Sequence, residues 1–173
     1  MTHDAAFALL ESARAQGAIP GGVLGTVTAT GATTIKATGH AQLTPEKVAM
    51  QAGTWFDLAS LTKVIFTTER ILAKARAGQI DLDAPLVTVM PDLRQYDSAA
   101  WERKVTFRQC LGHQTPFPAV FPIYTYGGDP DRLRAFVLQR AWPKGPPVYS
   151  DINYILLGIA LERLEGCRLR DMD

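Results

Sequence analysis

Asp57-Leu58-Ala59-Ser60-Leu61-Thr62-Lys63 is the stretch on which this chain turns. Beyond it, Leu61, Val64, Ile65, Ile71, Leu72 and Ala75 form a broad apolar stripe, Glu69, Arg70, Lys74 and Arg76 form a wet face, and Gly78 follows. That pattern predicts an amphipathic helix closed by glycine. Side chains three residues apart share a helix face, which brings the Ser60 hydroxyl within reach of the Lys63 amine. A serine hydroxyl needs a base to become a nucleophile. A lysine supplies one if burial or nearby positive charge lowers its pKa from about 10.4 toward neutrality. A helix beginning at the serine also aims its first amides and positive dipole end at that residue, so the Ser60 N–H is a candidate oxyanion donor. The competing reading makes Ser60 an N-cap worth about 1 kcal/mol and Lys63 a solvated charge.

A second stretch, Val148-Tyr149-Ser150-Asp151-Ile152-Asn153-Tyr154, follows the proline-rich run Pro143-Lys144-Gly145-Pro146-Pro147. Ile152, Ile155, Leu156, Ile159, Ala160 and Leu164 keep helical spacing, with Ser150 as expected N-cap and Gly166 at the end. A phenol beside Lys63 could shuttle the proton between Ser60 and a leaving group, because neighbouring positive charge stabilises a phenolate. Without the Ser60/Lys63 pair, Tyr149 reads as a packed aromatic.

Together, residues 54–63 and Tyr149-Ser150-Asp151 resemble the first two signatures of the class C β-lactamase and penicillin-binding-protein superfamily, which includes serine esterases and D-amino-acid peptidases. The resemblance continues through Gly78-Gln79-Ile80-Asp81-Leu82-Asp83-Ala84-Pro85-Leu86 and Val105-Thr106-Phe107-Arg108-Gln109-Cys110-Leu111-Gly112-His113, and so covers nearly the whole chain. It implies an α+β, β-lactamase-like fold with helices on an antiparallel sheet and a mainly helical subdomain. It implies Ser60 as nucleophile, Lys63 and Tyr149 as proton carriers, and Asp151 at a substrate-binding position where many members have Asn. An Asn donates to a substrate carbonyl and an ionised Asp does not, which favours simple ester or peptide substrates over lactams. Where the family reads H-T-S-G-L, this chain has His113-Gln114-Thr115-Pro116-Phe117, and His113 by itself reads as structural. The resemblance further implies that the strands completing the sheet, the third motif and a second oxyanion donor lie beyond these residues.

With 173 residues and 47% apolar side chains the chain can bury a real core, and a formal charge of +1 argues against nucleic acid as a partner. Cys110 and Cys167 are too few for a disulfide framework and read as small buried apolar residues in a reducing compartment. The first residues lack a signal-peptide pattern and no run is long enough to span a membrane, so the expected location is cytoplasmic. His3, His40 and His113 have no metal-ligand spacing; neither a metal nor a cofactor is called for.

Elsewhere, a first helix is expected from Thr2 as N-cap to Gly17. A hairpin of residues 22–29 and 34–39 follows, then an irregular stretch over 41–56. The glycines at 21, 22 and 25 precede a strand and not a helix, which speaks against a phosphate loop. Prolines at 85, 91, 116, 118, 122 and 130 break 80–147 into loops and short helices, one over 131–138. The boundaries drawn are 1–79, 80–147 and 148–173.

Two functions follow from this reading. One is a serine hydrolase acting through an acyl-enzyme on a small ester, peptide or lactam. The other is a truncated, non-catalytic binding module. The first requires the missing strands to come from a longer parent chain, a complementing C-terminal fragment or a homodimer exchanging strands, since an isolated hairpin is marginal in water; the second would need a complementing chain for activity.

Overall fold

Thr2 opens the first helix by accepting the Ala5 amide at 3.3 Å, and helix α1 (His3–Ala15) runs from there to a turn in which Gly17 takes φ +73°. Strands β1 (Gly21–Val27) and β2 (Thr33–Gln42) pair antiparallel in unbroken register from Gly21 opposite Gly39 to Val27 opposite Thr33. At Gly21 a β-carbon would meet the His40 backbone nitrogen at 2.5 Å, so this crossing requires glycine. A two-residue strand, β3 (Val48–Ala49), adds a third member beside β2 in a stretch whose sequence reads as irregular. Its pairing slips between His40 and Gln42, an irregularity that alternating patterns do not reveal. Helix α1 lies on the hairpin, tied by His3 to Thr26 at 2.8 Å and by Asp4 to Lys36 at 2.6 Å.

The computed structural model describes residues 2–172 and divides into two compact units, Met1–Asp57 and Leu58–Asp173. The first unit, just described, leaves Val27 and Ile35 exposed. The second contains the Ser60 helix together with everything that follows; the sequence boundaries at 79 and 147 fall inside it.

In the second unit helix α2 begins with a π-helical segment, Lys63–Thr68, and continues as an α-helix over Glu69–Arg76. The stripe expected from the sequence is only half realised. Ile71 is fully buried, but Leu61, Val64 and Ile65 are 57%, 57% and 58% exposed. Within the π segment Thr67 is the residue turned inward.

The core gathers around helix α5 (Asp151–Glu165), whose Ile152, Leu156, Leu157, Ala160 and Leu161 are buried against Ile71, Leu86, Met90 and Phe107. The two loop stretches of the sequence resemblance fasten to each other. Leu86 N–H donates to the Val105 carbonyl at 2.8 Å, Arg108 N–H to that of Leu82 at 2.8 Å, and the Arg108 guanidinium grips Asp83 through two bonds. Thr106 and Gln109 form a capping box on α3 (Phe107–Leu111). Asp129 caps α4 (Pro130–Gln139), with proline in its first turn. After α4 the Arg140 guanidinium lies over the rings of Phe121, Phe136 and Trp142 at 4.4, 5.1 and 5.4 Å, closing the loop before α4 onto the core.

Two details depart from expectation. Cys110 is buried, which pushes its thiol pKa up, but Cys167 is exposed on the turn after α5. Ser150 holds the N-cap position of α5, yet its hydroxyl makes no capping bond: it is buried without a hydrogen-bond partner. Among the described residues no helix is long and apolar enough to cross a membrane.

Glu162 carries the main ionic tie in this unit. Its carboxylate receives two bonds from Arg134 at 2.9 Å and the Leu169 N–H at 3.1 Å, with 10% of the side chain exposed. Burial raises its pKa, but Arg134 and the Leu169 amide outweigh burial and hold it below the ordinary 4.5. Because the folded pKa is depressed, this stabilisation is complete above the unfolded value and is lost as pH falls through the folded one. Glu162→Gln is expected to cost about 3 kcal/mol at pH 7 and to flatten the acid side of the stability profile, as measured by urea unfolding at several pH values.

Candidate active site

The head of α2 and the head of α5 bring the candidate residues together. Just before Ser60, Ala59 takes φ +42°, a left-handed conformation uncommon for a residue with a side chain, and the chain then turns into the helix. One turn on, Lys63 Nζ donates to Ser60 Oγ at 3.0 Å, the contact anticipated from the spacing. From the other side come Tyr149 and Asp151. Their approach is set by the proline-rich run, pinned where Gly145 N–H donates to the Pro116 carbonyl at 2.9 Å, and by extended backbone at Ser150. Asp151 Oδ1 lies 2.8 Å from Lys63 Nζ. The ammonium also sits 5.2 Å from the Tyr149 ring centroid and 5.9 Å from that of Tyr154.

The electrostatics separate the roles of the two candidate proton carriers. Burial works against charge on Lys63, but hydrogen bonds to Asp151 and Tyr149 and their negative charge outweigh it, so its pKa is raised. This is the opposite of the shift that a lysine base requires. Lys63 is held as an ammonium. Tyr149 moves the other way: hydrogen bonding to Ser60 and then to Lys63 holds its phenol below the ordinary value of 10. The arrangement lets the Ser60 proton pass to the Tyr149 oxygen, with Lys63 stabilising the phenolate that receives it.

Asp151, expected at a substrate-binding position, has its carboxylate on Lys63, while its side chain remains 57% exposed. His113 reads from the sequence as structural. Here its ring stacks on Tyr149 with centroids 4.3 Å apart and accepts the Ser150 amide. Sequence reasoning did not single out Tyr154, whose hydroxyl bonds to Thr68 and to the Leu111 carbonyl. Its position three residues after Asp151 on a predicted helix was the available signal.

A cavity of about 570 Å³ opens beside Ser60 and Lys63, walled by Thr67, Asp151, Tyr154 and Ile155. A larger groove of about 910 Å³ near Asp92, Tyr96 and Arg163 has no such chemistry, because its arginines are paired with carboxylates. Among the described residues no cluster of His, Cys, Asp or Glu could hold a metal ion.

A serine just ahead of one helix and a lysine in its first turn thus face a tyrosine that precedes another helix. The chain belongs to the Beta-lactamase family, whose model matches residues 7–172. It is similar to a class C beta-lactamase from Rhodobacter sphaeroides, with 28% identity and a TM-score of 0.73 over 97% of this chain and 46% of that one. The D-amino acid amidase from Ochrobactrum anthropi SV3 shares the fold, with a TM-score of 0.76 at 21% identity over 98% of this chain and 47% of that one. An N-acetylmuramyl-L-alanine amidase of Bacillus subtilis (strain 168) is 29% identical over 68% of this chain and 29% of its own length. The chain thus spans about half the length of the solved relatives and less of the curated one.

Proposed function

We propose that this chain carries the acylating machinery of a serine hydrolase. Ser60 Oγ attacks an ester, amide or lactam carbonyl while its proton moves to Tyr149, and Tyr149 returns that proton to the leaving group. Water then releases the acyl group from Ser60 with the proton traffic reversed. Lys63 remains charged throughout as the counter-ion of the phenolate. The Ser60 amide at the head of α2 is one oxyanion donor, and the second belongs to the part of the family fold outside this half. The observation that carries the reading is the Lys63 to Ser60 bond at 3.0 Å beside a tyrosine whose pKa is depressed by both residues.

The test is burst kinetics with a p-nitrophenyl ester at neutral pH. An acyl-enzyme releases one equivalent of p-nitrophenolate before the steady rate. A folded chain that gives neither burst nor turnover favours the second reading, a non-catalytic module that needs a complementing chain. That alternative draws on the exposed Leu61, Val64 and Ile65 of α2 and on the loss of about 100-fold or more in turnover when one oxyanion donor is absent.

Asp151 supplies a graded prediction. Asp151→Asn removes the anion that raises the Lys63 pKa and that opposes phenolate formation at Tyr149. Both pKa values fall, so the pH–rate profile for acylation moves to lower pH. Because this ion pair is half exposed, the rate at neutral pH changes by less than about tenfold. A profile that does not move would remove Asp151 from the electrostatics of the site.

A further inference from the structure

We propose that His113 is a positioning residue of this site: its ring and its Nδ1 together fix Tyr149 and the start of α5, and its protonation releases both. The proposal rests on the reading of Tyr149 as the group that takes the Ser60 proton.

The backbone presents His113 in a strained, well-tied turn. It follows α3 with φ +52°, held by its own N–H on the Cys110 carbonyl at 3.2 Å and by the Gln114 N–H on that of Gln109 at 2.8 Å. Non-glycine residues in this region cluster at sites where the surrounding structure enforces them.

Two donors then converge on one ring nitrogen. The Ser150 N–H approaches Nδ1 at 3.1 Å and the Asn153 side-chain nitrogen lies 3.2 Å from it. The orientation of Asn153 follows from the same nitrogen: the Ser150 N–H, a donor only, makes Nδ1 an acceptor, so Asn153 presents its NH₂ to it. Asn153 is fully buried, and Thr115, also fully buried, donates its hydroxyl to Asn153 Oδ1 at 2.6 Å. With N–H groups on both approaches, Nδ1 must carry a lone pair and the ring proton sits on Nε2. A second proton has no acceptor at Nδ1 and would break both bonds.

The ring faces do the rest. His113 stacks on Tyr149 at 4.3 Å and 31°, and on Tyr154 at 5.2 Å and 36°. Tyr154 is itself anchored through its hydroxyl to Leu111 and Thr68. Tyr149, by contrast, precedes α5 on a loop and is 51% exposed. Its hydroxyl is held by Ser60 and Lys63, the face of its ring by His113, and its neighbouring backbone by the Ser150 bond. The titratable groups that face His113 are Lys63 from α2, Tyr149 from the loop, and Asp151 and Tyr154 from α5. Burial and the Lys63 charge disfavour the imidazolium and hold the pKa below 6.5, against the pull of Asp151 and of a backbone hydrogen bond at Ser150. The site is thus assembled at neutral pH and loosens in acid.

The experiment follows the wild-type chain by long-range ¹H–¹⁵N correlation for His113 and by ¹³Cζ labelling of tyrosine, from about pH 4 to 8, with fluorophosphonate acylation of Ser60 measured at the same pH values. The expected result is an unprotonated Nδ1 at neutral pH and a Tyr149 resonance that moves in the same step as His113. Across that step the acylation rate should fall on the order of 10- to 100-fold beyond the steady decline that protonation of the Tyr149 phenolate brings, as expected when a catalytic group loses its alignment. His113→Asn, which keeps an acceptor but no ring, should lower the rate at pH 7 by a similar factor and abolish the acid step. A proton on Nδ1 at neutral pH, or a Tyr149 resonance indifferent to His113 titration, overturns the proposal without recourse to any variant. If Tyr149 follows His113 while Tyr149→Phe acylates at the wild-type rate, the positioning stands and the base assignment is what fails.

Discussion

Ser60→Ala removes all covalent labelling of this chain by a fluorophosphonate and lowers any ester turnover by about 10⁴-fold or more, toward the residual rate that binding and oxyanion contacts alone provide. The size of the effect comes from the site's economy. Lys63 and Tyr149 both address the one hydroxyl, through the 3.0 Å bond from Nζ and through the hydrogen bond that lowers the Tyr149 pKa. The exposed cysteine, Cys167, lines the separate groove near Asp92 and is not among the residues around the serine. The fold is expected to survive the substitution, since Ser60 precedes the helix and is exposed. Unchanged thermal unfolding with no labelling is the predicted pair of results.

Tyr149→Phe is the second large effect. It keeps the ring on His113 and Lys63 but removes the oxygen that receives the Ser60 proton, so acylation is expected to fall by about 10²- to 10⁴-fold with little change in stability. The pH dependence distinguishes this assignment from a lysine base. The phenol titrates below its ordinary value, so the wild-type rate rises with pH as the phenolate forms. It declines again only when Lys63, whose pKa is raised, loses its proton. If neutral Lys63 were the base, the rate would keep rising through that second step and Tyr149→Phe would have little effect.

The parts of this architecture that the sequence revealed are those governed by local rules. The cap at Thr2, the turn glycines, the hairpin strands, the helix over 131–138 and the helix after Ser150 follow from spacing and end signals, and the structure places them where those signals point. The grouping of Ser60, Lys63, Tyr149 and Asp151 was legible because two short stretches carry it and because three-residue spacing fixes the first pair. What escaped depends on partners distant in sequence. The π winding of Lys63–Thr68 leaves no mark in an apolar pattern, nor does the exposure of Leu61, Val64 and Ile65 at the head of this helix. The sign of the Lys63 shift required knowing that Asp151 stands 2.8 Å away across 88 positions of sequence. His113 looked structural because nothing in its neighbourhood announces a positive φ or a tyrosine stacked on its face. The hairpin, marginal as an isolated pair, gains a third short strand and a helix, but still exposes Val27 and Ile35.

Intact-mass spectrometry of the chain after incubation with a fluorophosphonate, followed by peptide mapping, addresses the central claim most directly. The site described here predicts a single adduct per chain, carried by the peptide containing Ser60, and formed faster at pH 8 than at pH 6. A chain with folded near-ultraviolet circular dichroism that acquires no adduct, or acquires it at another residue, would contradict the assignment of Ser60, Lys63 and Tyr149 as an assembled acylating site.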